Sequence, residues 1–146
     1  ETLNPAVKSL NYLNNILAKM EATNAGGNEA LILNQEGYVA ECTGENIFLV
    51  KRKRLLTPPV SAGALPGVTR EVVMEIGEAI GLTVREENLT RHDVYIADEC
   101  FLTGTAAEIV PVSHCDGRQI GTACRPVTER IRKAFRRLTR TEGVRV

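Results

Sequence analysis

Residues 38–57 read YVAECTGENIFLVKRKRLLT and contain three short segments rich in β-forming residues. The segments span 38–42, 47–50 and 55–57, and a fourth segment at 29–34 precedes them. Short runs of this kind, separated by polar turn residues, are typical of strands joined by hairpins. The sequence therefore predicts an antiparallel meander at the centre of the fold.

Helical periodicity appears on both sides of these strands. A helix is predicted from about residue 6 to 23, because apolar residues recur there at helical spacing: Val7, Leu10, Leu13, Ile16, Leu17 and Met20. Further along the chain we predict a helix over 68–80, a strand over 82–86, a short helix over 89–97 with Thr90 as a candidate cap, strands over 100–103, 109–114 and 118–120, and a last helix over about 126–138.

The composition is that of an ordinary globular protein. The chain has 146 residues, of which 43% are hydrophobic and 25% are charged. No apolar run reaches the ~20 residues of a membrane span, and disordered or collagen-like chains have a different composition. We predict one α+β domain over 1–146, with an antiparallel or mixed β core and helices packed around it.

Charge and cysteine content narrow the expected partners. Lys and Arg together number 18, as do Asp and Glu, so no global field attracts nucleic acid or anionic lipid. Basic residues cluster at 51–54 and 125–145, but Phe135 is the only aromatic residue there, which favours a solvated surface over a nucleic-acid site. The four cysteines show no C-x-x-C spacing, and we find no signal peptide. We therefore expect no metal, reduced thiols and a cytoplasmic protein.

Lys8 is the first candidate for chemistry, because it lies in the first turn of the helix predicted over 6–23. A lysine that acts as a Schiff-base nucleophile near neutral pH needs its pKa lowered from about 10.4 towards about 7–8. The helix dipole contributes only ~0.3–1 kcal/mol, so burial has to supply the rest. Tyr12 lies one turn further on the same face. The alternative is a solvated lysine beside a half-buried tyrosine.

A second candidate is the segment ALPGVTR, residues 64–70, which runs from a loop into the start of a predicted helix. Free backbone N–H groups at a helix start, supplemented by the Thr69 hydroxyl, favour a phosphate. Neither of the glycine-rich nucleotide-binding motifs is present. The alternative is that Gly67 only turns the chain and Thr69 caps the helix.

Two turns between strands are further candidates. In residues 102–108, LTGTAAE, the amides of Thr105 and Ala106 are placed to receive phosphate or carboxylate oxygens, and a plain hairpin connection is the alternative. In residues 41–46, ECTGEN, Glu41 shares a strand face with Val39. If Val39 points inward, the Glu41 carboxylate does too and needs a cationic partner. The alternative is a solvent-facing strand end.

Taken in order, four segments resemble the branched-chain amino acid aminotransferases, which are fold-type IV enzymes that depend on pyridoxal 5'-phosphate: KSLNYL (8–13), ECTGEN (41–46), LPGVTR (65–70) and TGTAAE (103–108). The resemblance covers essentially the whole chain. It implies the C-terminal large domain of a longer enzyme, a pseudo-barrel with flanking helices, whose N-terminal domain is absent. Cys42, Arg125 and the basic turn 51–54 depart from the family pattern.

The resemblance implies an amino-group transfer between leucine, isoleucine or valine and 2-oxoglutarate. In this scheme Lys8 forms the Schiff base with the cofactor and carries a proton between the substrate and the cofactor. Glu41 faces the pyridine nitrogen and keeps it protonated, and Tyr12 bonds the phenolate oxygen of the ring.

The resemblance also implies how the anionic groups are bound. The substrate carboxylate is received by the amides of Thr105 and Ala106. The cofactor phosphate is held by Gly67, Val68, Thr69 and the Thr105 hydroxyl. Family members are at least dimers, so a homo-oligomer is expected, and the chain alone is expected to bind the cofactor weakly. The alternatives are a D-amino acid aminotransferase or aminodeoxychorismate lyase of the same fold, or a noncatalytic basic binding module.

Overall fold

The computed structural model describes residues 12–141. Its helices are α1 (Leu13–Asn24), α2 (Val68–Ala79), α3 (Arg91–Tyr95) and α4 (Pro126–Thr141). Its strands are β1 (Leu31–Leu33), β2 (Val39–Cys42), β3 (Asn46–Lys51), β4 (Arg54–Thr57), β5 (Thr83–Glu86), β6 (Glu99–Gly104), β7 (Glu108–Val112), β8 (His114–Cys115) and β9 (Arg118–Gln119). A single 3₁₀ turn spans Val60–Ala62.

The strands form a five-stranded sheet in the order β5-β4-β3-β6-β7 and two two-stranded sheets, β1-β2 and β8-β9. Neighbouring strands are antiparallel except β4 and β5, which are parallel because α2 carries the chain back to the same end of the sheet. The predicted α+β class, with a mixed sheet and flanking helices, is confirmed.

The predicted meander is wrong at one junction, because β2 and β3 belong to different sheets. The turn between them is closed by a hydrogen bond of 2.8 Å from the Cys42 N–H to the Glu45 carbonyl. Beyond the turn, both edges of β3 are occupied, one by β4 and the other by β6. No edge of β3 is left for β2.

The central strands are buried on both faces. Along β3, Ile47 and Leu49 pack into one apolar cluster, whereas Phe48 and Val50 pack into another on the opposite face. Phe48 lies opposite Phe101 of β6, and the two rings stack with their centroids 5.2 Å apart. The period of two that places alternate side chains on opposite faces therefore builds two cores from one strand.

Helices α2 and α4 cover the face that carries Phe48, with Val73, Ile76, Ile131 and Phe135 packed against it. Helix α1 differs, because it contains no buried residue. Its predicted apolar stripe is helical, but Leu13, Ile16, Leu17 and Met20 remain 51–67% exposed. The predicted helical residues 6–11 lie outside the described residues.

A buried carboxylate fixes the start of α4. Glu99 in β6 is only 4% exposed, and its two oxygens accept the N–H groups of Val127 at 3.0 Å and Thr128 at 2.7 Å. The Thr128 hydroxyl also donates to it at 2.7 Å. Because the N-terminus of a helix carries partial positive charge, this carboxylate is satisfied without a cation.

Within residues 12–141, no helix combines the length and the apolar character that a membrane crossing requires. The four cysteines are free thiols.

Two glycines with left-handed backbones predict different responses to substitution. Gly121 has φ +55°, and a Cβ there would overlap the backbone carbonyl of Asp98, whereas Gly117 has φ +72° and open space around it. Both alanine variants incur the left-handed penalty of ~1–2 kcal/mol. Gly121→Ala adds an overlap cost of ~1–3 kcal/mol. Urea unfolding of both variants measures this difference, and equal losses of stability at the two positions would contradict the packing described here.

Candidate active site

Two other candidate segments, 64–70 and 102–108, and helix α1 meet at the 41–46 connection, which we define as residues 41–46 from the end of β2 to the start of β3. Helix α1 is attached to it by the Asn15 side-chain amide, which donates to the Thr43 carbonyl at 2.9 Å. The loop before α2 is attached through the Leu65 N–H, which donates to Glu41 at 2.8 Å. The turn after β6 lies against it at Gly104. The fold therefore brings segments that are distant in sequence to one end of the sheet.

Glu41 is half-buried, and its Oε2 accepts hydrogen bonds from the Leu65 N–H and from Asn46 Nδ2, the latter at 3.3 Å. Burial raises the pKa of Glu41, and the Leu65 hydrogen bond partly opposes that shift. The alternative of a solvent-facing strand end is therefore wrong.

The expected cationic partner of Glu41 is not found among residues 12–141. The ion pairs in that range involve other carboxylates: those of Glu29, Asp93, Glu87, Glu86, Glu129 and Glu108. Glu41 is held by neutral donors instead. A half-buried carboxylate in this state has unused capacity for a cation.

Asn46 connects Glu41 to the start of α2. Its side chain is buried, with the residue 6% exposed, and Nδ2 also donates to the Leu65 carbonyl at 2.9 Å. A Cβ on Gly67 would overlap the Asn46 Oδ1, so residue 67 tolerates no side chain without displacing Asn46. Asn46 belongs to the candidate segment 41–46, although the sequence predicted no role for it.

The start of α2 is the segment predicted to bind an anion, and that role stays a prediction. Gly67 precedes the helix with an extended backbone, φ −75° and ψ 138°, and no side chain caps it. The alternative in which Thr69 caps the helix is therefore wrong, although Thr69 is buried in the first turn. Val68 is 75% exposed. The first-turn N–H groups of a helix have no partner within the helix, and here, unlike in α4, no carboxylate side chain from residues 12–141 accepts them.

Thr105 and Ala106 are exposed in the turn that follows β6. A Cβ on Gly104, just before them, would lie 3.3 Å from Glu45 Cγ and 3.6 Å from the Gly44 carbonyl oxygen. The small residue at 104 thus lets this turn approach the 41–46 connection closely. The predicted anion-binding turn and Glu41 therefore belong to the same end of the sheet.

Lys8 lies outside the described residues, and its predicted chemistry stays a prediction. Tyr12 is exposed and immediately precedes α1, where its carbonyl accepts the Ile16 N–H at 2.8 Å. Because Asn15 is bonded to Thr43, this end of α1 lies beside the 41–46 connection.

The carboxylates of Glu29 and Glu45 interact with each other at the 41–46 connection. Burial by itself would raise the pKa of Glu29, but hydrogen bonds from Lys19, Thr43, Glu45 and the Ala30 N–H lower it to about 2. Burial, and then the neighbouring Glu29, raise the pKa of Glu45 to about 7. Glu45 thus carries a proton in acidic solution and loses it near neutral pH.

The basic cluster in α4 has no aromatic side chain on its exposed side within residues 126–141. Phe135 is buried in the core, facing α2 and the sheet. The stacking surfaces that single-stranded nucleic acids use are therefore missing from this part of the chain.

Comparison with known proteins identifies the family of this chain. Residues 1–115 match the family described as "Amino-transferase class IV". The chain belongs to the class IV aminotransferases. No described group of three or more His, Cys, Asp or Glu residues is arranged to hold a metal ion.

Individual members of the class IV aminotransferases are similar over much of this chain. A putative branched-chain-amino-acid aminotransferase of Methanocaldococcus jannaschii is 50% identical over 100% of this chain and 51% of its own length. A crystal structure of the Escherichia coli branched-chain enzyme has a TM-score of 0.91 at 45% identity, covering 94% of this chain and 46% of that one. The Thermobaculum terrenum enzyme in its PLP-form has a TM-score of 0.89 at 40% identity, covering 94% and 46%. This chain spans about half the length of these relatives.

The carboxylate pair predicts a pH-dependent stability. The pKa of Glu45 in the folded protein is about 7, above its ordinary value of 4.5. Between these two pH values the folded protein keeps a proton that the unfolded chain has lost. The free energy of unfolding therefore falls as the pH rises from 4.5 to about 7. Glu45→Gln keeps a hydrogen-bonding side chain but has no proton to lose. We expect Glu45→Gln to lose less stability than the unchanged protein between pH 5 and 8.5, measured by urea unfolding.

Glu36→Gln is the matched control, because Glu36 is exposed in the turn before β2. Its stability should follow the same pH dependence as the unchanged protein. The pKa of Glu29 is shifted the opposite way, to about 2, so its effect on stability lies below the pH range of the experiment. Parallel curves for Glu45→Gln and Glu36→Gln would refute the assignment.

Proposed function

We propose that this chain carries the cofactor site of a branched-chain amino acid aminotransferase. The reaction exchanges an amino group between leucine, isoleucine or valine and 2-oxoglutarate, with pyridoxal 5'-phosphate as the cofactor. The proposal is supported by membership of the class IV aminotransferases and by the similarity to branched-chain enzymes. The observation that carries it is Glu41, a half-buried carboxylate with neutral donors and no described cation, at the same end of the sheet as an uncapped helix start.

The described residues fit pyridoxal phosphate at both of its charged ends. The protonated ring nitrogen is a cation, which Glu41 lacks among residues 12–141, and attraction between them is strengthened in a partly buried site. The phosphate is an anion suited to the free amides at the start of α2, with hydroxyls from Thr69 and Thr105 as further donors. When bound, the cofactor supplies an electron sink for the charge that develops at the substrate α-carbon.

Each residue then has one task. Glu41 holds a proton on the ring nitrogen, and Tyr12 donates to the phenolate oxygen of the ring. Lys8 would hold the cofactor through its amine and, once released by the substrate amine, would carry a proton between the substrate α-carbon and C4′ of the cofactor. The amides of Thr105 and Ala106 orient the substrate through its carboxylate.

The relatives support further proposals about the whole protein. Since the chain spans about half of their length, we propose that it is the C-terminal, cofactor-binding domain of a longer aminotransferase. The complete enzyme would be a homo-oligomer that acts in the cytoplasm.

A donor series tests the reaction. With 2-oxoglutarate as acceptor, we expect the holoenzyme to use L-leucine, L-isoleucine and L-valine at least about tenfold more efficiently than L-alanine, because each additional methylene in an apolar pocket contributes about tenfold or more. The measurement is kcat/KM for each donor. A preference for D-alanine, or pyruvate release from aminodeoxychorismate, would assign the chain to one of the alternative activities.

Chemical trapping tests the role of Lys8. After addition of pyridoxal phosphate and reduction with borohydride, we expect mass spectrometry to find the modification on Lys8, because a Schiff-base link becomes permanent on reduction. Lys8→Arg keeps the charge but should remove the label. Modification of Lys19, Lys51, Lys53 or Lys133 in place of Lys8 would overturn the mechanism.

A further inference from the structure

We propose that Asn46 is a positioning residue that aligns Glu41 with the ring nitrogen and, through Gly67, sets the place of the phosphate-binding start of α2. This inference rests on the proposed function and assigns a task to a residue that does not itself touch the cofactor. It follows from three contacts of one buried side chain.

The first contact decides which oxygen of Glu41 faces a ligand. Both hydrogen bonds that Glu41 accepts from residues 12–141, from Leu65 and Asn46, end on Oε2. Its Oε1 receives none of the hydrogen bonds found in that range. The two neutral donors therefore fix the carboxylate by one oxygen and leave the other for a cation.

The second contact fixes Asn46 itself. Its amide donates to Glu41 at 3.3 Å and to the Leu65 carbonyl at 2.9 Å, while the Leu65 N–H donates to Glu41 at 2.8 Å. These three bonds form a closed ring of Glu41, Asn46 and Leu65. The Asn46 backbone is held as well, since it is paired with Thr103 of β6. A ring of mutually bonded groups on a buried strand restricts the orientation of each member.

The third contact reaches the anion site. The Asn46 Oδ1 occupies the space beside Gly67, the residue that immediately precedes α2. A displacement of the Asn46 side chain thus affects both the carboxylate and the helix start. One amide links the two ends of the site that bind opposite charges.

Asn46→Asp is the decisive variant, because it preserves the size of the side chain but replaces the donor by a negatively charged acceptor. The new carboxylate faces Glu41 Oε2 and the Leu65 carbonyl, which repel it. In the holoenzyme we expect the Kd for pyridoxal phosphate to rise about tenfold or more, as the loss of a hydrogen bond to a charged group implies. We also expect a shift in the pH at which the absorbance of the bound cofactor changes.

Asn34→Asp is the matched control. Asn34 is a half-buried asparagine whose side chain also donates to a backbone carbonyl, that of Ala62 at 3.2 Å, and it supports the turn before β2. Its substitution should lower stability without changing the absorbance titration. A shift of equal size in both variants would mean that Asn46 has only a structural role.

A double-mutant cycle separates positioning from general destabilisation. The ligand in this cycle is pyridoxal, which lacks the phosphate. If Asn46 acts through Glu41, Asn46→Asp should raise the Kd for pyridoxal in the unchanged protein. The increase should be much smaller when Glu41→Gln is already present. Gly67→Ala disturbs the same contact through residue 67, because the added Cβ would overlap the Asn46 Oδ1. It should shift the pH at which the absorbance of the bound cofactor changes, even though residue 67 lies at the phosphate end. This variant keeps the test valid if Asn46→Asp does not fold.

The outcomes distinguish this inference from the proposed function. If the unchanged protein forms no borohydride-stable link at Lys8, the proposed function and the inference both fail. If the link forms, but the Kd and the absorbance titration are unchanged in Asn46→Asp and Gly67→Ala, the inference alone is overturned. Additive effects of Asn46→Asp and Glu41→Gln would also overturn it.

Discussion

A carboxylate that is removed from bulk water and has no cationic partner among residues 12–141 is the constraint on which the site depends. Glu41 meets this constraint with two neutral N–H donors, one from the backbone at Leu65 and one from Asn46. Such donors reduce the cost of burial but do not neutralise the charge. The fold therefore maintains a site with a standing preference for a positively charged group, and the connections around residues 41–46 are organised to maintain it.

Much of the fold was accessible from the sequence, because apolar periodicity, β-forming runs and capping residues mark helices and strands locally. The start of α2 near Val68 and the cap of α3 were predicted correctly, the latter shown by the reciprocal hydrogen bonds of Thr90 and Asp93. The short run of β-forming residues at 47–50 correctly indicated a strand. The assignment of β2 and β3 to one sheet failed, because local pattern does not specify that β6, some 50 residues later, pairs with the free edge of β3.

The candidate site was predicted as separate segments and not as an assembly. The alternation with Val39 left an inward and a solvent-facing Glu41 open, and it gave no partners, because a backbone N–H such as that of Leu65 leaves no mark in the sequence. Asn46 was missed for a related reason: an asparagine at a strand start is also typical of an ordinary turn. The one available signal was its place at the end of a segment that already contained two carboxylates. The family resemblance connected the segments, and the contacts at residues 41–46 supply its physical basis.

The pairing of β3 with β6 also has a consequence for biosynthesis. Phe48 and its partner Phe101 are separated by about 50 residues, so the ribosome needs roughly 3–10 seconds to make the second strand after the first. During that interval β3 is a nascent strand, apolar on both sides, with one edge that lacks its neighbour. Strands in this state readily associate with other chains. Translation speed through residues 51–104 and early chaperone contact with β3 should therefore govern how much of the newly made protein escapes aggregation.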